Sequence, residues 1–117
     1  MELIFQEVDG DVTVIGLDGG LDGTNTAQLN ESVEKLIKVG LKRIIVDCRK
    51  LTFISSAGIG TLVTLHRRMK SGGGQIKIAG AHGTVFDVLS IMKLDSILEL
   101  YPDVDRARLA FRPTDAS

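Results

Sequence analysis

Residues 43–69 constrain the fold more than any other stretch of this chain: Arg-Ile-Ile-Val-Asp-Cys-Arg-Lys-Leu-Thr-Phe-Ile-Ser-Ser-Ala-Gly-Ile-Gly-Thr-Leu-Val-Thr-Leu-His-Arg-Arg-Met. They open with Ile44-Ile45-Val46, a continuous β-branched run that suits a buried strand. A short polar connection follows, and then Phe53-Ile54 leads into two hydroxyls, Ser55 and Ser56. Beyond them apolar residues recur at Ala57, Ile59, Leu62, Val63 and Met69, much closer to helical spacing than to alternation. A serine pair at the junction of a buried segment and a helix is the one place here that could carry signalling chemistry.

The rest of the chain supplies the surroundings of that junction. Leu3-Ile4-Phe5-Gln6-Glu7-Val8 and Val12-Thr13-Val14-Ile15-Gly16-Leu17 flank Asp9-Gly10-Asp11, and Asp-Gly between β-rich segments predicts a hairpin. Residues 18–23 read as a loop. A first helix is expected from about Thr24 to Thr26, either of which could cap it, with Leu29, Val33, Leu36 and Ile37 on one face. Gly40 stands where a left-handed cap would end that helix. The second helix stops at the glycines of 72–74, and residues 75–79 form a strand. A third helix begins near Gly83-Thr84 and aligns Val85, Val88, Leu89 and Met92. A strand over 97–101 follows, and Pro102 can take the first position of a final short helix. Strands alternating with helices from residue 24 onward predict an α/β fold with a mixed, mostly parallel sheet begun by an antiparallel hairpin, and about four helices. Residues 1–111 read as one domain and 112–117 as a flexible C-terminal tail.

Composition narrows the function classes. With 117 residues, 44% apolar and 25% charged, the chain reads as an ordinary globular domain. A net charge of −1 argues against a nucleic-acid partner, and four Phe, one Tyr and no Trp offer little base stacking. No stretch approaches the ~20 apolar residues of a membrane span, and the first residues lack a signal-peptide pattern. A cytoplasmic protein with no direct membrane insertion is expected.

Enzymatic readings are poorly supported. His66, His82 and Cys48 share no metal-ligand spacing, and His66, beside Arg67 and Arg68, reads as a surface residue. The single cysteine, Cys48, reads as a small packed residue at a strand end. The flanks Ile54-Ser55-Ser56-Ala57-Gly58 miss the glycine spacing of a hydrolase elbow, and Gly58-Ile59-Gly60 lacks the third glycine of a dinucleotide loop. The glycines of 72–74 follow a helix, so they connect rather than cradle phosphate. Asp47 ends a parallel strand, where ligands of such folds lie, yet a lone acid is a weak signal. From spacing alone, Ser55 or Ser56 is an N-cap whose hydroxyl accepts from a free helix N–H.

The same residues match a known family. Ile44-Ile45-Val46-Asp47, followed by Leu51-Thr52-Phe53-Ile54-Ser55-Ser56-Ala57-Gly58-Ile59-Gly60, resembles the signature of the STAS domain, especially of bacterial anti-sigma factor antagonists. Leu21-Asp22, Leu94 with Ile97, and Tyr101-Pro102 extend the likeness across residues 2–111. The resemblance implies a non-enzymatic switch without a cofactor or metal. The antagonist binds an anti-sigma factor that is also a serine kinase, freeing a sigma factor, until phosphorylation of a serine ends the interaction and a serine phosphatase resets it. Counting along the motif, that serine is Ser56, with Ser55, which stands where many members have Asp, as second choice. The implied partner contacts are Asp22, Gly23 and Thr24 with Ser55, Ser56, Ala57, Gly58 and Ile59. A weak homodimer is left open. Other STAS proteins are accessory subunits of membrane transport complexes, which is the alternative reading.

Overall fold

A computed structural model describes residues 2–111, with side chains from residue 10 onward; Met1 and the expected tail at 112–117 lie outside the described residues. β1 (Glu2–Asp9) and β2 (Val12–Leu21) form the expected antiparallel hairpin. β3 (Arg43–Ile54), β4 (Gln75–Ala79) and β5 (Glu99–Tyr101) then add in parallel, so the sheet runs β1-β2-β3-β4-β5. The connections carry α1 (Thr26–Lys38), α2 (Ser56–Ser71) and α3 (Gly83–Ile91), then a 3-10 turn at Leu94–Ser96, and α4 (Val104–Ala110) closes the described chain. This is the mixed, mostly parallel α/β architecture that the alternation of elements predicts.

Ile44-Ile45-Val46 is continuously apolar because the sheet is covered on both faces. Ile44, Val46 and Cys48 join Ile15 and Leu17 of β2 in a core shared with α1, α2 and α3, through Leu29, Val33, Leu62, Leu65, Met69, Val85 and Leu89. Ile45 packs on the opposite side with Val12, Val14, Ala79, Ala107 and Phe111, under α4. On that side Lys77 is buried, paired with Glu99, with the Phe111 ring centroid 4.6 Å from its ammonium.

Several elements differ from the sequence reading, each for a local reason. β2 runs to Leu21 and β3 to Ile54, where a loop and a polar connection were expected, because the two extensions pair with each other. Cys48 therefore lies inside a strand instead of at its end. Asn25 occupies the N-cap position of α1 in place of Thr24 or Thr26, without a side-chain bond to a helix N–H. Gly40, as expected, has positive φ (88°), and the N–H groups of Gly40 and Leu41 reach back to the carbonyls of Ile37 and Leu36 in a Schellman closure. Met92 is the C-cap of α3 and half exposed, because the helix ends before it. β5 begins only at Glu99, since residues 94–96 wind into the 3-10 turn. Pro102 lies before α4, whose cap is Asp103, accepting from the N–H of Arg106 at 2.7 Å.

Among the described residues two buried side chains carry an unmet polar atom, Thr13 Oγ1 and His66 Nδ1. Thr13 is fully buried and its hydroxyl has no hydrogen-bond partner among the described residues. Thr13→Val keeps the shape and removes the stranded oxygen, so it is expected to stabilise the protein by about 1 kcal/mol. A higher urea midpoint at unchanged m-value checks this; a lower midpoint contradicts it.

Candidate functional site at the amino end of α2

The site is built where β2 and β3 run out together. β3 takes extra residues to reach it: Gly16 and Asp18 of β2 face Asp47 and Lys50, and Gly19 and Gly20 face Leu51 and Phe53. These bulges stretch the inward spacing from Ile44, Val46 and Cys48 to Leu51 and Ile54, and the strands end side by side at Leu21 and Ile54.

There the chain turns sharply into α2. The N–H of Ser55 donates to the Leu21 carbonyl at 2.9 Å, continuing the strand pairing by one residue. Ser55 then caps the helix, its hydroxyl accepting from the N–H of Gly58 at 3.2 Å. Gly58 is pressed against the same carbonyl: a Cβ there would lie 2.6 Å from Leu21 O and 2.9 Å from Ile54 Cγ1. Only a residue without a side chain lets α2 start this close to β2.

The loop that leaves β2 is braced against this turn. Asp22 accepts through Oδ1 from both the N–H (2.9 Å) and the hydroxyl of Thr24, and these bonds, the hydroxyl's first, lower its pKa below the usual carboxylate value. The carboxylate is thus ionised and fixed in direction. Asn25 spends its side chain on the loop instead of on helix N–H groups: Oδ1 accepts from the N–H of Asp22 and Nδ2 donates to Gly20 O at 2.7 Å. A Cβ on Gly23 would come within 3.8 Å of Ala57 Cβ, so the loop lies in contact with the first turn of α2.

The fold thus brings together all eight residues singled out in the sequence, but not in one role. Gly23, Thr24, Ser56 and Ala57 are exposed, and Asp22 and Ser55 are half-buried. Gly58 and Ile59 are buried and lie beneath the surface that the exposed residues form. The two serines divide: the Ser55 hydroxyl is committed to the cap, and the Ser56 hydroxyl, on the first helical residue, makes no hydrogen bond among the described residues. Sequence reasoning passed over Phe53, whose 53% exposure has no local signature, since the bulge opposite Gly19 and Gly20 turns it outward.

The other polar residues have structural roles. Asp47 is buried and holds the Arg49 guanidinium through both carboxylate oxygens. Burial, with a smaller contribution from Asp47, pushes the Cys48 thiol up to about 12, so it is inert at neutral pH. His66, expected at the surface, is buried on α2, and His82 Nε2 is bonded to Arg49 O at 2.8 Å. Among the described residues no group of three His, Cys, Asp or Glu could hold a metal ion, and no helix is long and apolar enough to cross a membrane.

Comparison with known proteins agrees with this architecture. The sequence profile of the STAS domain matches residues 4–107, so the chain belongs to the STAS domain family. It is 24% identical over 112 residues, 96% of each chain, to BtrV of Bordetella bronchiseptica, a protein designated an anti-sigma factor antagonist. A Thermotoga maritima structure with the same designation superposes with a TM-score of 0.84 at 23% identity, over 92% of both chains. The phosphorylated form of the Bacillus cell fate determinant SpoIIAA gives 0.74 at 21% identity, over 95% of this chain and all of that one. A sulfate transporter family protein of Wolinella succinogenes gives 0.75 at 17%, over 87% and 85%. At such identities the structural likeness establishes the fold.

The contact at Gly58 yields a test. Gly58→Ala is expected to destabilise the domain by about 1–3 kcal/mol through overpacking, despite the better helix propensity of alanine. Denaturant unfolding measures it; a stability equal to or above that of the unaltered chain contradicts the close approach.

Proposed function

We propose that this chain is a non-enzymatic anti-sigma factor antagonist. Unphosphorylated, it binds an anti-sigma factor that is also an ATP-dependent serine kinase, and so releases a sigma factor. Phosphorylation of Ser56 switches it off, and a serine phosphatase restores it. The observation that carries the reading is the exposed hydroxyl of Ser56, unbonded among the described residues, in the first turn of α2 beside the loop of residues 22–24. The likeness to BtrV over nearly the full length supports the same assignment. The contact surface is Asp22, Gly23, Thr24, Ser55, Ser56 and Ala57, in the cytoplasm.

The switch works through local electrostatics. A phosphate adds about −1.5 to −2 charges. At a helix amino end that charge is stabilising by roughly 0.3–1 kcal/mol, so the domain stays folded. Under a docked partner the same group must be accommodated, and each unit charge meeting an acid about 5 Å away costs roughly 3 kcal/mol at an effective dielectric of 20. A loss of that size weakens binding about a hundredfold or more. Ser55 is the poorer acceptor, because its oxygen already serves the cap.

The likeness to the Wolinella succinogenes protein favours a second reading, an accessory subunit of a membrane transport complex. A pull-down separates the two: the first expects a kinase-type anti-sigma factor, the second a transporter ATPase. Incubation with that kinase and ATP, followed by peptide mass spectrometry, is expected to place phosphate on Ser56. Ser56→Ala should take up none and still bind, and Ser56→Asp should bind more weakly. Phosphate found only on Ser55 or Thr24 contradicts the assignment.

A further inference from the structure

Phe53 stands on the strand that delivers the two serines, and β3 departs from its own alternation to leave it outside. Ile44, Val46 and Cys48 enter the core at every second position, as a regular strand requires. Continued from Leu51, that alternation would bury residue 53 and expose residue 54. The bulge opposite Gly19 and Gly20 reverses the outcome: Ile54 is buried and Phe53 faces out. Bulges re-aim side chains beside functional sites. Here one presents an aromatic ring where a polar residue would be the ordinary choice.

The ring is also held. A Cβ at Gly20 would lie 3.2 Å from Phe53 Cδ2 and 3.5 Å from its Cβ, so Phe53 rests against bare backbone of β2. Gly20 O accepts from Asn25 Nδ2, and Asn25 Oδ1 accepts from the N–H of Asp22. Two hydrogen bonds therefore tie the surface under the ring to the loop beside Ser56. Thr52, next in the chain, donates from its hydroxyl to Gly19 O at 3.2 Å. An exposed aromatic side chain with its freedom already restricted has the makings of a binding anchor, since little ordering remains for association to impose.

We infer that Phe53 is the apolar anchor of the interface that includes Ser56, its ring entering an apolar pocket on the kinase-type anti-sigma factor. The occupant follows from continuity: the ring rests on Gly20, whose carbonyl is tied through Asn25 to the loop of residues 22–24, part of the proposed contact surface. The inference rests on the proposed function, and it explains how one partner can grip the chain at a point that the phosphate does not alter.

The probes are the kinase-type anti-sigma factors encoded in the source genome, each purified and titrated calorimetrically with the unaltered chain, Phe53→Ala and Phe53→Tyr. Phe53→Ala is expected to weaken binding about tenfold or more, with the melting temperature unchanged, and Phe53→Tyr to stay within about threefold. In kinase assays Phe53→Ala should raise KM for this chain and leave kcat unchanged, as loss of uniform binding requires. A loss under about threefold for Phe53→Ala, an equal loss for Phe53→Tyr, or a fall in kcat at constant KM overturns the anchor. If no kinase binds the unaltered chain, the proposed function itself fails and the anchor with it.

Discussion

The approach of Gly58 to the Leu21 carbonyl is the contact on which the site depends. It lets α2 begin within a residue of the end of β3, against the last residue of β2, with no side chain in between. Because the helix starts there, Ser55 N–H can complete the pairing with Leu21 while its hydroxyl caps the helix. Because β2 ends there, residues 22–24 emerge beside the first turn of α2 and are held by Asp22, Thr24 and Asn25. Remove the close approach, and the loop and the helix lose their common reference point.

The serine pair then has a physical division of labour. A cap hydroxyl contributes about 1 kcal/mol to its helix, so modifying it would trade stability for signalling. Ser56 has no such obligation: it is exposed, unbonded among the described residues, and at the end of a helix dipole that tolerates negative charge. A phosphate placed on Ser56, as proposed, would therefore act on what docks and leave the fold intact. The ionised, immobilised Asp22 adds a fixed negative charge to the same surface.

Much of this was legible in the sequence because it is local. The turn at Gly10, the apolar run at 44–46, the helical spacings and the stop at Gly40 each depend on a few adjacent residues. What stayed hidden depends on distant partners. Residues 18–21 look like loop, yet they form a strand because the far end of β3 pairs with them. The bulges that expose Phe53 leave no pattern in β3 alone. Asn25, not either threonine, stands at the N-cap position of α1, and its side chain makes no cap bond because it is drawn back to Asp22 and Gly20. His66, flanked by arginines, reads as surface, but its position on the helix turns it inward. Gly58 and Ile59 belong to the signature for packing, which a motif cannot distinguish from contact.

The central claim is that the loop and the start of α2 form one rigid unit clamped at Leu21. Native-state hydrogen exchange of the Ser55 amide measures it directly, since that N–H donates to the Leu21 carbonyl. The account predicts exchange only through global unfolding, with the same opening free energy as the Val46 amide in the centre of β3. Exchange of Ser55 near the rate of an unstructured peptide, while Val46 stays protected, would contradict it.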